Sequence, residues 1–121
     1  MRIGELAKRA NVTPRTIRYY ESIGLLPRGN RASAQRTYDE VTVERLRKID
    51  QLKALGLELD EIAGVIELYF ADPSHRAPKA KVLAMLRAHL ADVDGKLAEL
   101  RALRTELARH IKRFERWFAR S

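Results

Sequence analysis

The stretch Thr13-Pro14-Arg15-Thr16-Ile17-Arg18-Tyr19-Tyr20-Glu21-Ser22-Ile23-Gly24-Leu25-Leu26-Pro27 decides the reading of this chain. Thr13 suits a helix N-cap, and Pro14 suits the first helical position, where its missing N–H costs nothing. Ile17, Tyr20 and Ile23 recur every three residues and give the helix one inward face. Gly24 suits the left-handed position after a helix, and Leu25-Leu26-Pro27 ends the element. Upstream, Ile3, Leu6, Ala7 and Ala10 stand at helical spacing, so residues 3–10 read as a shorter helix that Asn11 closes. Two short helices separated by about three residues make a helix-turn-helix candidate.

The outward face of the second helix strengthens it. Arg15, Thr16, Arg18 and Tyr19 cluster there, just after Thr13, and these side chains suit phosphate oxygens and base edges. Residues 27–36 are basic and turn-rich and lead into Arg36-Thr37-Tyr38, which alternates like a short strand. A small β-hairpin, or wing, would set Arg28, Arg31 and Arg36 beside the helix pair. Asp39 begins a third helix through Val41, Val43, Leu46, Ile49, Leu52 and Leu55, which Gly56 closes. A fourth starts at Leu57-Glu58-Leu59-Asp60-Glu61-Ile62 and continues through Val65, Ile66 and Tyr69. Residues 72–78 hold two prolines and a serine and read as a linker.

The last segment differs in kind. Leu83, Leu86, Leu90, Val93, Leu97, Leu100, Leu107, Ile111, Phe114 and Phe118 alternate in steps of three and four, except where Arg104 fills one expected slot. That is a heptad seam. Gly95 is its weak point. A helix from Lys79 to Phe118 would run roughly 60 Å, too long to bury its stripe on a small head. Each large apolar side chain buried is worth about 1.5–3 kcal/mol, so the seam points to self-association. The expected architecture is mainly α: residues 1–71 as a winged helix-turn-helix head, 72–78 as linker, and 79–121 as a coiled-coil dimerisation helix.

Composition agrees. The chain has 121 residues, 33% charged and 45% hydrophobic, with a net charge of +8. Residues 1–56 carry 12 Lys/Arg against 6 Asp/Glu, while residues 57–121 carry 12 against 10. A basic head suggests a polyanionic partner. There is no cysteine, which excludes disulfides, thiolate metal sites and thiol redox sensing. His75, His89 and His110 form no ligand cluster in sequence, so no metal or other cofactor is expected. There is no GxxxxGK phosphate loop, nucleophile–base pairing or cofactor fingerprint, which argues against an enzyme. The N-terminus lacks the apolar core of a signal peptide, and no apolar run reaches membrane-spanning length, so a cytoplasmic protein away from membranes is expected.

Ile3-Gly4-Glu5-Leu6-Ala7, Val12-Thr13, Thr16-Ile17-Arg18-Tyr19-Tyr20-Glu21 and Ile23-Gly24-Leu25-Leu26-Pro27 resemble the start of the MerR family of bacterial transcriptional regulators. Arg36-Thr37-Tyr38 resembles the end of that family's first wing, and Leu46 to Ile62 is similar to its third and fourth helices. The resemblance implies dimers paired through an antiparallel coiled coil, with two winged heads on successive turns of a palindromic promoter site. It implies that the activated dimer bends and untwists an overlong spacer for RNA polymerase, in some members under a small-molecule effector. Carried over by residue, Arg15, Arg18 and Tyr19 match positions that contact bases or phosphates. Arg36 matches the wing arginine, Tyr38 a wing-end aromatic that packs or touches the backbone, and Lys53 a basic residue that reaches phosphate. The cysteine-free sequence departs from metal- and redox-sensing members, and its length matches a short form without the large drug-binding domain. Ile66-Glu67-Leu68-Tyr69 followed by Asp72-Pro73 resembles the branch controlling branched-chain amino-acid and acyl-CoA breakdown. Two other readings remain: an architectural or excisionase-like winged-helix protein without effector, and a coiled-coil interaction adaptor. The long heptad tail argues against the first, and the arginine-rich face against the second.

Overall fold

A computed structural model describes residues 1–30 and 35–120. Its helices are α1 (Ile3–Ala10), α2 (Pro14–Ser22), α3 (Glu40–Ala54), α4 (Leu59–Ala63), α5 (Ile66–Ala71) and α6 (Arg76–Arg120). The chain divides into two units, Met1–Met85 and Leu86 onward.

In the first unit α1 packs on α2 and α3, and α3 packs on α4 and α5. The inward faces supply Leu6, Ile17, Val43, Leu46, Ile49, Ile62, Val65 and Ile66, all essentially excluded from solvent. Leu25 and Leu26 complete this core because Gly24, at φ +77°, turns the chain inward directly after α2. The Tyr20 carbonyl then accepts the N–H groups of Leu25 and Leu26 at 2.9 and 3.2 Å. Pro78 and Val82, from the first turns of α6, are also buried. The cations of α3 cover the aromatics of α5. Arg45 lies 4.7 Å from the Phe70 ring centroid and pairs with Glu67 at 2.6 Å, and Lys48 lies 4.5 Å from the Tyr69 ring.

Three expected features differ. The single fourth helix is two, α4 and α5, broken at Gly64 and Val65. Glycine favours helix least after proline, and the N–H groups of Gly64 and Val65 bond three residues back, which tightens and closes the turn. Arg36-Thr37-Tyr38 is not an extended strand: among the described residues its ladder pairing is one antiparallel bridge, Asn30 with Thr37, 2.8 Å in both directions. Tyr38 instead exchanges two 2.7 Å bonds with Met1, its N–H donating to the Met1 carbonyl and the Met1 amine donating to its carbonyl. The tip of the expected wing, including Arg31, lies outside the described residues. Finally, α6 begins at Arg76, not Lys79, so only residues 72–75 of the expected 72–78 linker lie outside helices. Pro78 falls within the first turn, where a helix N–H has no intrahelical acceptor to lose.

The turn into α6 is built on Asp72. Its Oδ1 accepts from the Ser74 N–H at 3.0 Å and hydroxyl at 2.7 Å, and its Oδ2 accepts from the Ala77 N–H at 2.9 Å. His75 takes the left-handed conformation, φ +59°, with its ring edge-on to Tyr69 at 5.5 Å.

In the second unit every residue from Leu90 to Arg120 is exposed. Leu90, Val93, Leu97, Leu100, Leu107, Ile111, Phe114 and Phe118 all stand open to solvent on α6, and Leu83 of the first unit is 46% exposed. Leu86 is half-buried. Leu103 and Trp117 are exposed beside this stripe and were not among the seam positions. Leu103 adjoins the slot that Arg104 fills. No helix among the described residues is long and apolar enough to cross a membrane.

The Ala77 N–H, then the Ser74 hydroxyl and N–H, then the His75 charge hold the Asp72 carboxyl below the ordinary aspartate range. A depressed folded-state pKa contributes stability above the ordinary value and loses it as pH falls through the folded value. Carbon-detected NMR should therefore show Asp72 titrating below the usual 3.8, with the first turn of α6 losing amide protection over the same interval. Asp72→Asn should abolish that pH dependence. A midpoint at or above the ordinary value would contradict the cap.

Candidate nucleic-acid interface

Thr13 sets the start of α2. Its Oγ1 accepts the Thr16 N–H at 3.1 Å and stands 3.0 Å from the Thr16 hydroxyl. Both threonines thus spend hydrogen-bonding capacity on the cap, which fixes the direction in which α2 presents its outer face. Arg15, Arg18 and Tyr19 lie on that face and are exposed, Tyr19 by 53%. Among the described residues neither Arg15, Arg18 nor the exposed Arg28 has a carboxylate partner. Their charge is therefore available to an anionic ligand.

The sequence-predicted residues do not all behave alike. Arg18 and Arg36 converge on one cavity of about 680 Å³, between the start of α1, α2 and the base of the wing. Arg36 is half-buried, and its Nη1 lies 3.5 Å from Glu21 Oε1. Tyr38 is buried, its hydroxyl donating toward both oxygens of Glu21 at 3.2 Å. Burial first, and then the Glu21 charge, push the Tyr38 phenol above its ordinary range, so it keeps its proton and stays a donor. Tyr38 therefore packs the wing base. Lys53, near the end of α3, is exposed, with its Nζ 3.3 Å from the buried Tyr20 hydroxyl and 5.9 Å from that ring's centroid.

The residue that organises this surface was not among the sequence candidates. The Glu21 side chain is 2% exposed. It accepts the Gly29 N–H at 2.9 Å as well as Tyr38 and Arg36. One buried carboxylate thus ties α2 to Gly29 on one side of the expected wing and to Arg36 and Tyr38 on the other. A signal existed, since Glu21 is the sole acidic residue between Glu5 and Asp39, in a stretch full of arginine. Gly29 was missed for the same reason: its role is long-range. A Cβ there would stand 2.7 Å from the Tyr38 ring and 2.9 Å from the Thr37 carbonyl oxygen.

Among the described residues no three His, Asp or Glu side chains come together as a metal site, and the chain contains no cysteine.

Glu21→Gln keeps the volume but removes the charge and one acceptor oxygen. Urea unfolding should show a loss of about 1–3 kcal/mol, the cost of leaving buried donors unmatched. Gly29→Ala should cost a similar 1–3 kcal/mol through overpacking against Tyr38. An unchanged midpoint in both would mean that the wing base is not held by this contact.

Comparison with known proteins agrees with this geometry. Residues 1–68 match the family described as MerR HTH family regulatory protein, and residues 43–110 match MerR, DNA binding. The HTH-type transcriptional regulator PA4778 of Pseudomonas aeruginosa is 39% identical over 108 residues, covering 88% of this chain and 80% of that protein. ZntR of Escherichia coli K12, another HTH-type transcriptional regulator, is 34% identical over 109 residues, covering 89% and 76%. Among solved structures, the transcription regulator PbrR691 of Ralstonia metallidurans CH34, in complex with lead(II), aligns with a TM-score of 0.71 at 44% identity, covering 88% of this chain and 82% of that one. Sequence, helix order and the exposed arginine face of α2 lead to one conclusion: the chain belongs to the MerR family of helix-turn-helix regulators, DNA-binding transcription factors and not enzymes.

Proposed function

We propose that this protein is a homodimer that binds a palindromic promoter site and controls transcription by bending and untwisting an overlong spacer. The observation that carries this reading is the pairing of two features. One is the set of unpartnered cations on α2. The other is the apolar stripe on α6 that nothing in its own unit covers. A second copy, running antiparallel, covers such a stripe. Leu83, Leu86, Leu90, Val93, Leu97, Leu100, Leu107, Ile111, Phe114 and Phe118 form the seam, with Leu103 and Trp117 widening it. The head takes residues 1–71, and the dimerisation segment takes 79–121, of which 79–120 lie within α6.

In this reading Arg15, Arg18 and Tyr19 enter the major groove, with Thr13 and Thr16 aiming the helix and contacting the backbone. Arg28, Arg36 and Lys53 reach phosphates, and Tyr38 supports the wing beneath Arg36. A two-fold dimer reads a two-fold site, its half-sites one helical turn apart. Distorting the spacer costs on the order of a few kcal/mol, offset by contacts at both ends, and this makes the promoter response an indirect readout. RNA polymerase is the partner that reads the realigned promoter, and the setting is the cytoplasm. Any effector is a small molecule recognised without thiolates. The lead(II) of the structural relative is not carried over, because this chain has no cysteine and so no thiolate donor.

Footprinting of the purified protein on its upstream region, with sedimentation for stoichiometry, tests the whole reading. A dimer protecting a palindrome between promoter elements supports it. A monomer without a preferred site, binding with steep salt dependence, would replace it by the architectural reading. Arg18→Ala should weaken operator binding by about 1–3 kcal/mol if it reads a base, and unchanged affinity at moderate salt would remove that role. Leu97→Asp or Leu100→Asp should convert the dimer to monomer in sedimentation. A persistent dimer would place the seam elsewhere.

A further inference from the structure

Outside the head, the most uneven charge lies in the distal part of α6. Residues 101–120 carry seven Lys/Arg and two Asp/Glu, all of them exposed. At 3.6 residues per turn, Arg109, Lys112, Arg116 and Arg120 fall more than about 100° from the apolar stripe, whereas Arg101, four residues after Leu97, flanks it. Pairing along the stripe would leave this face open. Arg109 pairs with Glu106. Among the described residues Arg101, Lys112, Arg116 and Arg120 have no carboxylate partner. The short side chains of Thr105 and Ala108 leave a shallow hollow, about 370 Å³, which Arg109, Lys112 and Arg116 border.

This arrangement works against the helix. Arg109 and Arg113, Lys112 and Arg116, and Arg116 and Arg120 are like-charge pairs four residues apart, which disfavour a helix. The helix dipole offsets cations only in the last turn, so it accounts for Arg120 and not for Arg109 or Lys112. A bound polyanion would relieve the repulsion along the whole face.

We propose that the basic face of distal α6 binds the phosphate backbone of duplex DNA, as a second contact separate from the head. Arginine dominates the face, and its planar fork matches phosphate oxygens better than a point charge does. DNA is already the head's ligand, so tethering raises the effective concentration of duplex at this weaker site. The phosphates come either from the flanks of the same operator duplex or from a second duplex. The proposal rests on DNA binding by the head and not on the promoter mechanism.

The test compares the full chain with an Arg109→Gln/Lys112→Gln/Arg116→Gln variant, whose helix content and sedimentation should match wild type. Three probes are used: an operator duplex trimmed to the footprint, the same operator with long flanks, and an operator-free duplex. On the operator-free duplex, the slope of log Kobs against log salt should be shallower in the variant by about two to three. If the flanks supply the phosphates, the variant binds more weakly only on the long operator duplex. If a second duplex supplies them, affinities match on both operator probes, while light scattering shows that the variant has lost two-duplex complexes. Identical slopes and affinities on all three probes overturn the proposal. So does unchanged DNA binding with lost binding to purified RNA polymerase, which would assign the face to an acidic protein surface. Failure of wild type to select the operator would refute the promoter reading while leaving the operator-free comparison valid.

Discussion

The arrangement of α2 and the segment that follows it depends on one buried charge. A carboxylate removed from water must find donors or lose its charge, and Glu21 finds them in the Gly29 N–H, the Tyr38 hydroxyl and the Arg36 guanidinium. Those donors lie in the segment that leaves α2 and in the segment that returns to α3. Satisfying Glu21 therefore sets the wing base relative to the recognition helix. Tyr38 stays protonated beside it, and Gly29 is held to a residue without a Cβ by the Tyr38 ring. Arg36 is oriented by the same carboxylate, so one wing cation arrives at the cavity beside Arg18 already aimed.

The two units solve opposite problems. The head closes a small core by drawing on every helix from α1 to α5, with Pro78 and Val82 from α6. It needs the sharp turn at Gly24 and the paired cations of α3 over α5 to do so. Beyond Leu86 the helix has no core of its own. Its apolar stripe and its basic face lie on different sides, so the proposed pairing with a second copy and the proposed contact with a polyanion do not compete for the same surface.

Much of this was legible because it rests on local rules. Thr13-Pro14 and Asp39 announce helix starts, and in the structure both N-cap side chains accept the expected N–H. Gly24 and Gly56 announce helix ends, and both have positive φ. The exposed set Arg15, Arg18 and Tyr19 follows from three-residue spacing once Ile17 and Tyr20 point inward. The errors arose where a local pattern was ambiguous. Val65, Ile66 and Tyr69 continue the period of Ile62 whether or not the helix breaks at Gly64. The prolines at 73 and 78 look alike in sequence, yet one lies before α6 and the other in its first turn.

By itself the sequence determined the first three helices and the long last one, the exposed face of α2 and the heptad stripe of α6, because periodicity and capping act within a few residues. Only the tertiary structure decided what Glu21, Gly29, Arg36 and Tyr38 do. Their contacts join residues far apart in the chain, and no spacing rule signals which donor a buried carboxylate will meet. It also decided that Tyr38 is a support beneath the wing and that Thr13 and Thr16 are partly occupied by the helix cap. A side chain's free hydrogen-bonding capacity is what remains after folding has used its share.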